Sequence, residues 1–163
     1  LDRFANLRTD PNLFANASAM LEVVDHFALD QVSDTRRYEM LVGALKTLDS
    51  DPAPLVVPAF FLKLLTHEGL EPQLDRCTRC DSNGPLVSID YHEGGVLCER
   101  CRRGRAVSEG SVAVMRSILG GGLSMALAVK DEQVCAEVES ITHEAIEFHL
   151  ERRLRSRKVI DQT

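Results

Sequence analysis

Between Asn12 and Leu29 the apolar residues Leu13, Phe14, Ala17, Met20, Leu21, Val24, Phe27 and Ala28 recur three or four apart, the spacing that gathers one face of an α-helix. The same period returns in Tyr38, Leu41, Val42, Leu45 and Leu48. It begins behind the N-cap types Ser33 and Asp34 and stops at Asp49-Ser50-Asp51-Pro52. A third run, Val56 to Leu65, is apolar almost throughout, and periodicity alone would suit a buried strand. Pro58 in a first turn and Gly69 just beyond the run, where a C-terminal cap belongs, predict a helix instead.

The helical period disappears between Glu71 and Arg105. Pro72, Asn83-Gly84-Pro85 and Gly94-Gly95 mark turns, and Leu86 to Tyr91 reads as a short strand pairing with Val96-Leu97 across the Gly94-Gly95 turn. This stretch has too few apolar side chains for a core of its own. Beyond it, Ser108 caps a helix that runs to Leu119 and ends at Gly120-Gly121-Gly122. A last helix, starting near Asp131 or Glu132, carries Val134, Val138, Ile141, Ala145 and Phe148 as a stripe whose simplest use is core packing. The chain therefore reads as mainly α: a helical domain in two parts, 1–75 and 106–163, around an inserted module at 76–105 that contains a β-hairpin.

Composition adds bounds. With 163 residues, 44% hydrophobic and 27% charged, the chain is an ordinary globular domain in make-up, poor in aromatics and without Trp. The longest apolar stretch, Leu55 to Leu65, is about half of what a bilayer requires and contains Pro58 and Lys63. No basic segment followed by an apolar one opens the chain, so a cytoplasmic location is expected. The first residue, Leu1, points to a piece or a processed form of a longer protein.

The formal charge of −6 is unevenly spread. Basic side chains concentrate at Arg76, Arg79, Arg100, Arg102, Arg103 and Arg105, and again at Arg152, Arg153, Arg155, Arg157 and Lys158, while the rest of the chain is acidic. Two basic foci on an acidic body can meet a polyanion, because the local field governs the encounter. Solvated faces and ion pairs are the plainer use of the same arginines.

The most specific chemistry is the spacing of Cys77, Cys80, Cys98 and Cys101, C-x2-C-x17-C-x2-C, which reads as a zinc site. Each C-x2-C turn aims two thiolates at one point, and a hairpin between the turns completes a tetrahedron. Four thiolates leave no position for water or substrate, so Zn2+ here would be structural, supplying folding energy that the small module lacks. Iron suits the same ligands by type. Disulfides belong to secreted chains, and a redox C-x-x-C needs only one pair. Cys135 lies outside the motif and reads as a buried free thiol, and His26, His67, His92, His143 and His149 as core or surface residues. With no phosphate loop, nucleophile elbow or defensible carboxylate pair, no enzyme and no small-molecule substrate are expected.

Taken together, Phe60-Phe61-Leu62-Lys63-Leu64-Leu65, Gly69-Leu70-Glu71-Pro72, Cys77-Thr78-Arg79-Cys80, Gly94-Gly95-Val96-Leu97-Cys98, Cys101 and the ending Phe148 to Arg157 resemble the C-terminal part of the bacterial RecO family of DNA repair proteins. The resemblance runs from about Asn12 to Lys158. It implies a helical domain carrying a zinc knuckle, preceded in the family by an OB-fold; the first 75 residues here read as helices, not as that fold. It also implies a non-enzymatic recombination mediator that binds single- and double-stranded DNA. Such a protein would work with RecR and single-stranded DNA-binding protein to load the recombinase, in the cytoplasm and at the nucleoid when active. DNA contacts would fall on Arg79, Arg100, Arg102, Arg103, Arg105, Arg152, Arg153, Arg155, Arg157 and Lys158. The competing reading is a zinc-stabilised docking or regulatory module that touches proteins only.

Overall fold

The computed structural model describes residues 4–28 and 33–160, with the side chains of 154 and 156–160 excepted. The first long helix, α2 (Pro11–Phe27), follows a single short turn, α1 (Ala5–Thr9). It starts where Asp10 accepts hydrogen bonds from the backbone N–H groups of Asn12 and Leu13, with Pro11 set at the first helical position, where its missing donor costs nothing. Helix α3 (Thr35–Ser50) is capped in the same way by Asp34, which accepts from the Arg37 N–H at 2.9 Å.

Helix α4 (Val56–His67) is the axle of the molecule. Eight of its residues are buried, and they serve two cores: Val56, Phe60, Phe61, Leu64 and Leu65 share one with residues of α1, α2 and α3 and with Ala145 and Ile146 near the chain's end, whereas Ala59 and Leu62 belong to the other. That two-sided burial explains why the sequence there is apolar without an amphipathic gap. The helix ends as expected at Gly69, whose φ of 74° lets its N–H reach Thr66 O at 3.0 Å while the Leu70 N–H reaches Leu65 O at 2.8 Å.

The second core lies between α4, α5 (Glu109–Leu119), the short α6 (Leu123–Leu127) and α7 (Glu132–Ile160). Ser108 caps α5 by accepting from the Ser111 N–H, and Gly120 closes it. Along α7 the stripe is core at Val138, Ile141 and Ala145, all buried. Its last member, Phe148, belongs to neither core and is only half-buried.

Into this second core the inserted module also presses Ile89 and Val96, joined by Leu74 just before it and Val107 just after it. Its sheet has three strands, β1 (Leu86–Asp90), β2 (Gly95–Cys98) and β3 (Arg105–Ala106), in the order β2-β1-β3 and antiparallel throughout. The hairpin turns earlier than expected. Asp90 pairs with Gly95, and the loop is Tyr91 to Gly94, because the Asp90 carboxylate accepts from the N–H groups of His92 and Glu93 and bends the chain there. Gly95 belongs to the strand, where a Cβ would lie 2.2 Å from Gln73 O, the atom that accepts the Val96 N–H at 2.9 Å. Among the described residues, no helix is long and apolar enough to cross a membrane.

Candidate metal centre and nucleic-acid interface

Two turns, one at each end of the hairpin, bring the four cysteines together. The first is closed by the Asp81 N–H donating to Cys77 O and the Cys77 N–H donating to Ser82 O, both at 2.9 Å, with Asp81 at a φ of 61°. It is fixed to β2 where the Thr78 N–H donates to Val96 O at 3.0 Å. The second turn begins at Cys98, the last residue of β2, and continues through a single 3-10 turn, Glu99–Cys101. The sulfur atoms of Cys77, Cys80, Cys98 and Cys101 all lie within 4.8 Å of one another, and Cys80 and Cys98 are 3.6 Å apart. A tetrahedral ion with metal–sulfur bonds of about 2.3 Å places its sulfurs roughly 3.8 Å apart, so the arrangement fits a metal and none of the cysteines is paired as a disulfide.

The electrostatics agree. Burial works against ionising Cys77, but the backbone N–H groups of Cys98, Cys80 and Arg79 outweigh it and hold the thiol down at about 6. The Cys101 N–H lowers Cys98 in the same manner, against burial. Cys101 is pushed up to about 12, first by its hydrogen bond to Cys80 and then by burial, so it resists ionising beside its neighbours. A divalent cation at the centre removes that conflict. Cys77 and Cys98 are buried, while Cys80 is exposed, so one corner of the tetrahedron faces solvent. Cys135 is apart from this site, buried on α7 with its Sγ donating to Val129 O at 3.6 Å, and burial raises its pKa.

The arginines around the centre have divergent fates. Arg76 pairs with Asp81 at 3.1 Å, Arg79 with Glu93 at 3.7 Å, and Arg103 with both Glu93 at 3.2 Å and Asp90 at 3.5 Å. Arg105 reaches α7, donating to Glu144 and, at 2.6 Å, to Ser140 Oγ; Glu144 also accepts from the Tyr91 hydroxyl at 3.0 Å. Arg105 is thus a strut between knuckle and helix. Arg100 and Arg102 are exposed, and among the described residues no ion pair or side-chain hydrogen bond engages either.

The second basic focus divides by direction. Arg152 lies over the Phe148 ring at 5.5 Å. Arg153 lies over Phe27 at 5.5 Å and contacts Glu68 at 3.5 Å, and Arg155 pairs with Glu151 one turn away. The side chains of Arg157 and Lys158 lie outside the described residues.

One constellation escaped the sequence reading. His67 meets Asp34 at 2.6 Å, and Arg37 meets Glu68 at 2.6 Å and Asp34 at 3.4 Å, tying the start of α3 to the end of α4. The His67 hydrogen bond, followed by the Arg37 N–H, holds the Asp34 carboxyl below its usual range. The carboxylates already have a guanidinium between them, so the group is an ion-pair network. The only signal in the sequence was the capping role of Asp34, which does not reveal a partner thirty-three residues away.

Comparison with known proteins places this arrangement. Residues 8–158 match the family model described as "Recombination protein O C terminal". The chain is 35% identical over 157 residues to a DNA repair protein RecO of Frankia casuarinae, covering 93% of this chain and 64% of that protein. It is 33% identical over 171 residues to the one of an Anaeromyxobacter strain, covering 98% and 66%, and 28% identical over 167 residues to the one of Cutibacterium acnes, covering 97% and 68%. The chain spans about two thirds of the length of these relatives, and by this near end-to-end match it belongs to the RecO C-terminal family of DNA repair proteins.

Proposed function

We propose that this chain is the helical and zinc-binding part of a recombination mediator, an adaptor without a catalytic step that contacts DNA and partner proteins to help load a recombinase on single strands. The observation that carries the DNA reading is the pair Arg100 and Arg102, exposed beside the four-cysteine cluster and, among the described residues, without an ion pair or side-chain hydrogen bond. A metal in the four-thiolate cage holds their backbone still, so phosphate contacts form at lower ordering cost than from a loose loop. Zinc suits the cage, where it would be structural, and this reading carries a division into helical parts 1–75 and 106–163 around a knuckle at 76–105. A cytoplasmic protein acting at the nucleoid is the setting this implies.

Two partners follow from the family, RecR and single-stranded DNA-binding protein. The acidic, apolar-tipped tail of the latter needs an apolar groove with a basic rim. Between α3, α4 and the end of α5 a groove of about 550 Å³ has Arg36, Lys63 and His67 along its rim, over Met40, Ile118 and Leu119. It continues into a more apolar hollow of about 310 Å³ that shares Met40 and Lys63. Arg79, Arg103, Arg105 and Arg153, all engaged by carboxylates, favour the second reading, a docking module that touches proteins only.

Titration of the metal-loaded chain with a single-stranded oligonucleotide at rising salt separates the two. Changing Arg100 and Arg102 to Ala should weaken binding and reduce the slope of log K against log salt by about 1.4, the loss expected for two phosphate contacts on a single strand. Absence of binding at low salt would leave the docking module as the function.

A further inference from the structure

The four cysteines of the centre differ in reach. Cys77 and Cys98 are 1% and 4% exposed and pack with Leu97, and Cys101 is half-buried. Cys80 is exposed, at the tip of the first turn between Arg79 and Asp81, which are exposed as well. Its Sγ is 3.6 Å from that of Cys98, the last residue of β2, so a sulfur that solvent reaches touches one that it does not. The two belong to different turns, with seventeen residues between them. A bond joining them would close the same loop that a metal in the cage closes. Thiols that sense oxidants combine an accessible sulfur of this kind with a second one in contact.

We propose that Cys80 is a site of oxidation by hydroperoxides and that Cys98 resolves it, so that a Cys80–Cys98 disulfide replaces the metal. The Cys80 thiolate attacks a peroxide oxygen: an S–O bond forms, the O–O bond breaks, and the alkoxide that leaves takes a proton from solvent to become an alcohol, or water when the oxidant is hydrogen peroxide. The Cys98 thiolate then attacks Cys80 Sγ. The S–S bond forms, the S–O bond breaks, and the departing hydroxide is protonated to water. Two thiolates, one hydroperoxide and two protons thus give one disulfide, one alcohol and one water. Cys77 and Cys101 remain as ligands, two where a closed site needs four, so the ion is no longer held. The knuckle does not open with this loss, because the new bond ties the first turn to the end of β2, the strand to which the Thr78 N–H already donates at Val96 O, 3.0 Å away. What is freed is Cys101 and the 3-10 turn that it ends. Arg100 and Arg102 flank Cys101, so oxidation also loosens the DNA contact proposed above; that consequence rests on the DNA reading, and the linkage does not. Cys135, 5% exposed with Val129 O as its partner, is shielded from the same oxidant.

The test treats the zinc-loaded chain with hydrogen peroxide while a weak chromophoric chelator reports released zinc, and maps the cysteines by mass spectrometry after free thiols are blocked. Zinc should appear in step with the loss of two thiols for each ion. The linked peptides should be those of Cys80 and Cys98, with Cys77, Cys101 and Cys135 still free. Hydrogen exchange separates this state from simple metal loss: the Thr78 amide should stay protected in the oxidised chain and lose protection when the reduced chain is stripped by a strong chelator. Added thiol and zinc together should restore the starting state. A link from Cys80 to any cysteine other than Cys98, a first lesion at Cys135, or zinc retained at peroxide doses that oxidise a free cysteine peptide would overturn the proposal. So would Cys80 driven to the sulfonate without a link, since Cys98 would then not resolve it. None of these readouts involves an oligonucleotide, so the DNA reading stands or falls apart from them.

Discussion

Removing Arg105 should loosen the knuckle from α7 without touching DNA affinity. Its guanidinium donates to the Glu144 carboxylate and to Ser140 Oγ, and Glu144 in turn accepts from the Tyr91 hydroxyl, so one carboxylate joins β3, the hairpin loop and the last helix. The side chains are 29% and 43% exposed. A fully buried charged hydrogen bond would be worth about 1.5–3 kcal/mol and an exposed pair about 0–1, so a coupling near 1 kcal/mol is expected. The assay is a double-mutant cycle of Arg105→Ala and Glu144→Ala in urea, reading midpoint and slope. Each single change should destabilise by about 1–2 kcal/mol, and the pair by less than their sum. The Arg105→Ala chain should bind an oligonucleotide with an unaltered salt slope. A coupling below about 0.3 kcal/mol together with a flattened slope would mean that Arg105 is a phosphate contact and the strut assignment is wrong.

Two further outcomes follow from the same geometry. Chelating the metal should strip hydrogen-exchange protection from the Thr78 and Cys77 amides, which hold the first cysteine turn, while the amides of α2 and α3 keep theirs; equal loss across both sets would show that the knuckle and the first core unfold as one. Because the His67 and Arg37 bonds lower the Asp34 pKa, the unfolded chain binds the extra proton, so this contribution is present above the ordinary carboxylate range near pH 4 and is lost as pH falls through the lowered value. Asp34→Asn should therefore flatten the acid limb of a stability-against-pH curve; an acid limb as steep as the parent's would remove the network from the account.

The elements that were legible in the sequence are those whose burial follows a period. Helices α2, α3, α5 and α7 each present a face at a helical spacing, and their capping residues sit where the pattern starts or stops. Helix α4 has no such period because it is buried on two sides, and only Pro58 and Gly69 separated it from a strand. The short elements α1, α6 and β3 carry too few residues for any period to register. The hairpin turn was misplaced by the pair Gly94-Gly95 for a reason external to the turn: Gly95 is glycine because Gln73 runs against it, a contact made by a segment twenty-two residues earlier.

The candidate site divides along the same line. A four-cysteine cluster is a local code, since two turns of two cysteines each suffice to bring four sulfurs together, and the spacing alone predicted that cluster. The role of an arginine is not local. Arg102, Arg103 and Arg105 are near neighbours in sequence, yet among the described residues the first has no ion pair, the second is held by the hairpin loop and the third crosses to α7. What separates them is the alternation of the chain as it leaves the 3-10 turn and joins β1 as an edge strand, together with the acidic residues that α7 and the loop happen to present there. The knuckle therefore uses most of its positive charge on its own ion pairs, which leaves Arg100 and Arg102 as its side chains for the DNA contact proposed above.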